Sequence, residues 1–178
     1  MSRYHELAAK VDGFFARVTA RHGDDMQCGS GCSDCCHVRL TVTHAEAAAI
    51  RAHVATLTPD QRRELTGGPV DRCAALDQNG RCRIYEARPF VCRTHGAPIR
   101  LTRQSLPVIA YPALPGKAAP PDGGAESIES CFRNFGHTEP DPDCVLDQTT
   151  LSALTLAVDR AEGGDGTRVD LAELLASC

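Results

Sequence analysis

A dense run of cysteines is the feature that most constrains how this chain can fold. Four of its ten cysteines lie in residues 28–36 (CGSGCSDCC), and three more lie in residues 73–92. Thiolates are strong ligands of soft and borderline metals, so such a run is typical of a metal-binding loop. Gly29 and Gly31 would let the loop wrap closely around an ion. We therefore expect a fold organised around a metal ion or an iron–sulfur cluster.

The apolar composition points to the same conclusion. Leu, Ile, Val and Phe together number 36 of 178 residues. Chains with so few large apolar residues have difficulty burying enough apolar surface to fold. Because metal-binding free energy becomes folding free energy, a bound metal could supply the deficit. We expect one small domain over residues 1–178, stapled by metal and loosened when the metal is removed.

Charge and hydropathy exclude several classes of function. The net charge is −4, so no global attraction to nucleic acid or to anionic membranes is expected. No apolar run approaches the roughly 20 residues of a membrane-spanning helix, and the N-terminus lacks the features of a secretory signal. We expect a cytoplasmic protein whose thiols stay reduced. The adjacent Cys35 and Cys36 also disfavour the alternative of five disulfides.

Local patterns predict a mainly α fold with short irregular β segments. Residues 38–42 alternate like a short strand, and residues 84–88 resemble one or two helical turns ended by Pro89. Residues 96–125 are rich in proline and glycine and are expected to form a weak hairpin, with strands near 99–101 and 108–111, and a surface loop. Apolar periodicity and capping motifs predict five helices: residues 2–21, a helix starting at the Thr43–Glu46 capping box, Pro59 to Leu65, 149–162 and 171–176. The metal-binding core would cover about 26–135, between helical flanks at 2–21 and 149–177.

The spacing Cys28-x3-Cys32-x2-Cys35 matches the loop by which radical S-adenosylmethionine enzymes hold a four-iron cluster. The chain lacks the strand–helix alternation needed for the barrel of those enzymes, so only the loop geometry carries over. Zinc is the alternative, but structural zinc usually takes two C-x2-C knuckles and only Cys32 and Cys35 have that spacing. A 4Fe–4S cluster is therefore the first expectation and zinc the second.

A longer pattern adds a family resemblance. The first cysteine run is followed by Cys73-x2-Leu-Asp-x2-Gly-Arg-Cys82 and then by Ile-Tyr-Glu-x-Arg-Pro-x2-Cys92-Arg. This combination resembles the YkgJ-type cysteine-cluster family, whose members are described as zinc- or iron-chelating. The stretch Cys131-x2-Asn134-Phe also resembles some members, and it adds Cys131 to the implied ligands. The implied metal-binding residues are Cys28, Cys32, Cys35, Cys36, Cys73, Cys82, Cys92 and Cys131.

Eight thiols exceed one four-coordinate set, so they would serve two centres, or one centre with reserve or redox thiols. Adjacent cysteines are expected to point in different directions, which disfavours a shared ion for Cys35 and Cys36. Cys144 and Cys178 lie outside the pattern and are left out of the site. A related cluster occurs in the larger flagellin lysine methylases, but this chain is too short for us to transfer their activity.

Three functional hypotheses follow. In the first, a 4Fe–4S cluster serves electron transfer or iron–sulfur handling and works with a redox protein partner. In the second, zinc stabilises an interaction domain that performs no chemistry. In the third, an open metal position binds a small substrate under a lid formed by residues 96–126, which would make the protein an enzyme.

Overall fold

The structure is a computed structural model that describes residues 2–29, 31–65, 72–102 and 126–178. The described chain is mainly helical with very short strands, which confirms the predicted fold class. None of its helices combines the length and the apolar character needed to cross a membrane. The helices are α1 Arg3–Arg21, α2 His44–Thr56, α3 Pro59–Glu64, α4 Phe90–Thr94, α5 Gln148–Ala161 and α6 Leu171–Ala176. The strands are β1 Thr41–Val42, β2 Ile99–Thr102, β3 Glu126–Glu129, β4 Leu146–Asp147 and β5 Val169–Asp170.

Two compact units divide the chain. Unit 1 contains Met1–Val11, Gly29–Arg93 and Thr155–Cys178, and unit 2 contains Asp12–Cys28 and Thr94–Leu154. The organisation as one domain over residues 1–178 stays a prediction.

Unit 1 has an apolar core between α2, α6 and the second cysteine segment. Ile50 and Val54 of α2 pack with Leu174 and Leu175 of α6, and all four are almost fully buried. Strands β1 and β5 form an antiparallel pair in which Val42 lies opposite Val169. Partly buried Cys73 and Cys82 pack against this core, so the core fixes the positions of two predicted ligands.

The helices of unit 1 begin where local capping chemistry predicts. The Thr43 hydroxyl accepts the Glu46 N–H while the Glu46 carboxylate accepts the Thr43 N–H at 2.8 Å, which completes the capping box of α2. Thr58 and Gln61 form the same arrangement at α3. Asp159 is fully buried and accepts the Ala45 N–H at 2.9 Å. Two buried carboxylates thus lie at the positive end of the α2 dipole, where negative charge is stabilised.

Unit 2 contains a small three-stranded sheet. Strand β2 lies in the middle, antiparallel to β3 with Ile99 opposite Glu129, and parallel to β4 with Ile99 opposite Leu146. The predicted strand near 99–101 is therefore confirmed, but its antiparallel partner is β3. The predicted partner at 108–111 lies outside the described residues. Phe14, Val18, Ala97 and Cys144 form a buried apolar cluster in this unit.

Candidate metal centre

The first cysteine run is a loop that tightens into one turn of 3-10 helix over Asp34–Cys36. The turn closes through the Cys36 N–H, which donates to the Ser33 carbonyl at 2.9 Å. It brings the Sγ atoms of Cys35 and Cys36 to 3.9 Å from each other. This differs from the expectation that the two adjacent side chains point apart, because the tight turn rotates both sulfurs toward the same side.

Backbone hydrogen bonds attach the second cysteine segment to this loop. The Cys73 N–H donates to the Cys36 carbonyl at 2.7 Å. Asp77 then builds a tight turn, since its Oδ1 accepts the Asn79 N–H at 2.8 Å and the Arg81 N–H at 2.9 Å. These N–H donors keep the pKa of the Asp77 carboxyl below its usual range. The turn reverses the chain, so that Cys82 forms an isolated antiparallel bridge with Leu76, three residues after Cys73.

Gly80 allows the turn to approach the first cysteine loop closely. Its φ is +73°, in the left-handed region that favours glycine, and an added Cβ would lie 3.2 Å from the Ser33 Oγ. The spacing between Cys73 and Cys82 is therefore set by a turn that contacts residues 31–33.

The third element of the site is α4, which the sequence reading missed because it took Pro89 as a terminator. Proline has no N–H but keeps its carbonyl, so it is well suited to begin a helix. The Pro89 carbonyl accepts the N–H groups of Cys92 at 2.9 Å and Arg93 at 3.0 Å. Glu46 is 2 % exposed, and its Oε1 accepts the Phe90 N–H at 2.9 Å. A buried carboxylate of α2 therefore positions the short helix that carries Cys92.

Four thiols of unit 1 influence one another's ionisation. Burial, with contributions from the neighbouring Cys73 and Cys35 sulfurs, raises the pKa of Cys82 to about 11. Burial likewise raises the pKa of Cys92 to about 12, and those two sulfurs and Cys82 add to it. The pKa of Cys73 is raised by burial and by Cys35, and the pKa of Cys35 is raised first by its hydrogen bond with Cys36 and then by burial. Every pair among Cys35, Cys73, Cys82 and Cys92 is thus within electrostatic range.

The arginines of the second segment mostly serve the fold. Arg93 is 5 % exposed and donates to the carbonyls of Arg88 at 2.9 Å and Glu86 at 2.7 Å. Arg83 forms ion pairs with Glu64 and with Asp77. The Arg88 guanidinium lowers the pKa of the Cys82 thiol, a minor effect beside burial. Positive charge therefore offsets only a small part of the cost of ionising these thiols.

The cysteine thiols fit a thiolate-bound metal, and the distances between their sulfurs bear on whether they could bind a single ion. None of the ten cysteines, all within the described residues, forms a disulfide bond. A single tetrahedral ion with Zn–S bonds of about 2.3 Å holds its sulfurs about 3.8 Å apart. Among the residues that the structure describes, no three cysteine sulfurs lie within 4.8 Å of one another. The four thiols of unit 1 lie within electrostatic range of one another, but no three of their sulfurs are as close together as the ligands of one ion.

Unit 2 contains Cys28 and Cys131, which meet at a turn formed around Asn134. The Asn134 side chain is 1 % exposed, and its Nδ2 donates to the Cys28 Sγ at 3.1 Å and to the Gly96 carbonyl at 2.8 Å. The Asn134 backbone N–H donates to the Cys131 carbonyl at 2.9 Å. Amide donation to sulfur stabilises thiolate character, which is how residues around a metal centre tune their ligands. Burial lowers the pKa of His95, which precedes Gly96 in the chain.

A comparison with protein families identifies the cysteine-rich segment. The family model CxxCxxCC, described as "Putative zinc- or iron-chelating domain", matches residues 27–107. The match covers less than half of the chain, so it shows what this segment is similar to. The CxxCxxCC match supports metal chelation by the cysteines of the segment and is compatible with zinc or iron. Searches of the curated proteins and of the solved structures gave no match.

The predicted ligands fall into two groups in the structure. Cys32, Cys35, Cys36, Cys73, Cys82 and Cys92 belong to unit 1, and Cys28 and Cys131 belong to unit 2. Sequence reasoning missed Glu46 as the residue that positions α4, since its capping motif explained it fully. It also set Cys144 aside, although the fully buried Cys144 lies beside His22 and Asp141. No spacing pattern in the sequence connects these three residues.

Proposed function

We propose that Cys35, Cys73, Cys82 and Cys92 hold one inorganic centre, a 4Fe–4S cluster, and that the protein serves electron transfer or iron–sulfur handling. The observation that carries this proposal is the mutual electrostatic influence of these four sulfurs in a half-buried site. Thiols distant in sequence do not acquire such coupling unless the fold brings them together. The CxxCxxCC domain supplies independent support for metal chelation by the same segment.

The spacing of the sulfurs favours a cluster over a single ion. In a four-iron cluster each thiolate binds a different iron, so its sulfurs lie further apart than the ligands of one ion. Among the described cysteines, no three sulfurs lie within 4.8 Å of one another. This spacing suits the wider arrangement of cluster ligands. A bound cluster of this type would supply one-electron transfer.

The protein's own residues would hold the thiolates and adjust their charge. Because their pKa values are raised, the Cys82 and Cys92 thiols stay protonated near neutral pH and must each release a proton to become ligands. Glu46 fixes the start of α4 and thereby the position of Cys92. The hydrogen bond from Cys73 to the Cys36 carbonyl fixes the two cysteine segments relative to each other.

Metal binding by the other four cysteines remains a prediction. Cys32 and Cys36 lie in unit 1 and could serve the same centre or act as redox thiols beside it. Cys28 and Cys131 belong to unit 2 and contact the Asn134 turn. The spacing-based set of Cys28, Cys32 and Cys35 therefore stays an alternative assignment for three corners of the cluster.

The test is the iron and sulfide content of protein purified without oxygen, together with paramagnetic resonance. We expect brown protein, and we expect serine substitution of Cys35, Cys73, Cys82 or Cys92 to remove most of the iron. Cys178→Ser is the matched control, because Cys178 is exposed and outside the site. Retention of full iron by the four site variants would refute the assignment. Colourless protein with stoichiometric zinc would refute the cluster itself.

A structural zinc site is the second candidate. The observation that favours it is the 3.9 Å separation of the Cys35 and Cys36 sulfurs, close to the about 3.8 Å between two ligands of one tetrahedral zinc. Zinc would then stabilise a domain with few large apolar residues, and its removal would unfold the protein. Zinc removal followed by circular dichroism tests this candidate. Zinc-free protein that keeps its helical signal and its unfolding transition would contradict it.

A further inference from the structure

A second group of ligand-type side chains lies in unit 2, outside the CxxCxxCC segment. His22, Asp141 and Cys144 place one ligand atom each within 4.8 Å of the other two. Among the residues that the structure describes, they are the trio of His, Cys and acidic side chains that meets this condition. Residues 27–107 form the matched domain, so all three residues lie beyond it.

The geometry of the trio fits a tetrahedral ion. His22 Nε2 lies 3.5 Å from Asp141 Oδ2. Bonds of about 2.0–2.2 Å from zinc to nitrogen and oxygen place two such ligands about 3.4 Å apart. Cys144 is fully buried on a 3-10 turn, Pro142–Cys144, whose preceding residue is Asp141. The turn is closed by the Cys144 N–H, which donates to the Asp141 carbonyl at 2.8 Å and holds the two ligands together.

The imidazole of His22 is oriented for coordination through Nε2. The Asp141 N–H donates to this nitrogen at 3.3 Å, so Nε2 carries the lone pair and would exchange this hydrogen bond for the ion. The opposite nitrogen, Nδ1, lies 3.7 Å from the Asp25 carboxylate, and the Phe135 ring contacts the imidazole edge-on at 5.2 Å between centroids. A carboxylate behind a histidine is the arrangement that fixes its tautomer in metal sites. The Asp25 carboxylate is itself held by the Thr138 hydroxyl at 2.6 Å.

The neighbouring cation leaves Asp141 available as a ligand. The Arg21 guanidinium lies 3.7 Å from Asp141 Oδ2, but it binds Asp143 more closely, at 2.5 and 2.6 Å to the two carboxylate oxygens. Asp143 is therefore the main partner of Arg21, which also interacts with Cys144, while Asp141 and a deprotonated Cys144 thiolate would supply the negative charge that a divalent cation requires.

A surface pocket lies beside residues that surround the trio. Phe135, Thr138 and Pro140 line a surface pocket of about 350 Å³ in the same unit, and each of them contacts or adjoins a member of the group around His22. A site with three protein ligands keeps its fourth position for water or a small ligand.

We propose that His22, Asp141 and Cys144 form a second metal site, for a zinc-like divalent cation with a water molecule in the fourth position. This site is independent of the cysteine-rich centre, shares no residue with it and lies in the other unit. Asp25 lies on the Nδ1 side of His22, 3.7 Å away. Soft, borderline and hard donors in one trio are the ligands that zinc accepts together.

The test compares two carboxylate variants of the metal-loaded protein, with Co²⁺ as the probe. Asp141→Asn removes a ligand, whereas Asp143→Asn makes the same charge change next to Arg21 without removing one. Their side chains are 54 % and 58 % exposed, so neither substitution should unfold the protein. We expect wild type to bind one cobalt ion that Asp141→Asn binds at least about tenfold more weakly, while Asp143→Asn, which releases Arg21 toward Asp141, loses less affinity than Asp141→Asn.

A spectroscopic readout identifies the thiolate. We expect Cys144→Ser to lose a sulfur-to-cobalt charge-transfer band that Cys178→Ser retains, because Cys178 is exposed and distant in sequence. If Asp141→Asn and Asp143→Asn bind this cobalt ion equally, or if wild type binds none beyond the cysteine-rich centre, the proposal is overturned. The result does not depend on which metal the cysteine-rich centre holds, since every variant keeps that centre intact.

Discussion

Replacing Gly96 with alanine should damage unit 2 by an amount that can be worked out from the structure. Gly96 has a φ of +101°, and an added Cβ would lie 2.5 Å from the Cys28 Sγ and 3.2 Å from the Asn134 Nδ2. Comfortable contact between heavy atoms needs about 3.5–4.0 Å, so the sulfur would have to move by about 1 Å. That movement would also strain the hydrogen bond from Asn134 to Cys28, now 3.1 Å.

Two costs add in this variant. A non-glycine residue in the left-handed region costs about 1–2 kcal/mol, and overpacking a buried contact typically costs about 1–3 kcal/mol. Alanine also restricts the unfolded chain, which reduces the net destabilisation by about 0.4–1 kcal/mol. We expect Gly96→Ala to lower the free energy of unfolding by about 1–5 kcal/mol.

Two other glycines separate these costs. Gly163 has a φ of +90° with nothing within 4 Å of an added Cβ, so Gly163→Ala carries the backbone strain without the clash. Gly136 has neither a positive φ nor a neighbour within 4 Å, and Gly136→Ala should be close to neutral. The difference between Gly96→Ala and Gly163→Ala therefore measures the close approach to Cys28, for which we expect about 1–3 kcal/mol.

The assay is urea unfolding of the protein as purified, followed by far-ultraviolet circular dichroism, with all three variants at equal metal content. A Gly96→Ala variant no less stable than Gly163→Ala would refute the reasoning, because it would mean that the Cys28 sulfur does not lie against Gly96.

Three further predictions concern the buried polar groups and the thiols. Asn134→Ala should lower the free energy of unfolding by about 2–5 kcal/mol, because it leaves the Gln27 N–H and the Gly96 carbonyl without their buried partner. Asn79 is exposed, and Asn79→Ala should change the free energy of unfolding by no more than about 0.5 kcal/mol in the same urea assay. In the metal-free protein the raised pKa values of Cys82 and Cys92 mean that the folded state keeps protons that the unfolded state loses above pH 9.0. The free energy of unfolding should therefore be highest below that pH and fall as pH rises toward about 11, by at most about 1.4 kcal/mol per pH unit for each thiol. Urea unfolding at several pH values measures this, and a free energy of unfolding that does not change with pH would contradict it. Finally, zinc added to the metal-free protein should release about one proton per ligating thiol, so affinity should fall as pH is lowered; calorimetry in buffers of different ionisation enthalpy counts the protons, and a count near zero would exclude thiol ligands.

Elements whose signals are local were predictable from the sequence. Helices α1, α5 and α6 follow from apolar periodicity, and the capping boxes of α2 and α3 form as their sequences predict. Two elements were not predictable in this way. Helix α4 depends on the Pro89 carbonyl and on a long-range bond from Phe90 to Glu46. Strand β2 takes its antiparallel partner from β3, beyond the proline-rich segment.

For the site, the sequence by itself determined the donor type, because clustered thiols with intervening glycines have little other use than holding metal. It could not determine which sulfurs meet. Contacts between residues far apart in the chain depend on backbone bonds such as Cys73 to the Cys36 carbonyl, and on burial that no short motif encodes. The tertiary structure decided that Cys35, Cys73, Cys82 and Cys92 share one electrostatic environment, and that His22, Asp141 and Cys144 meet at all. Whether a side chain can bind metal is a property of the single residue, whereas which side chains come together depends on the packing of the whole chain.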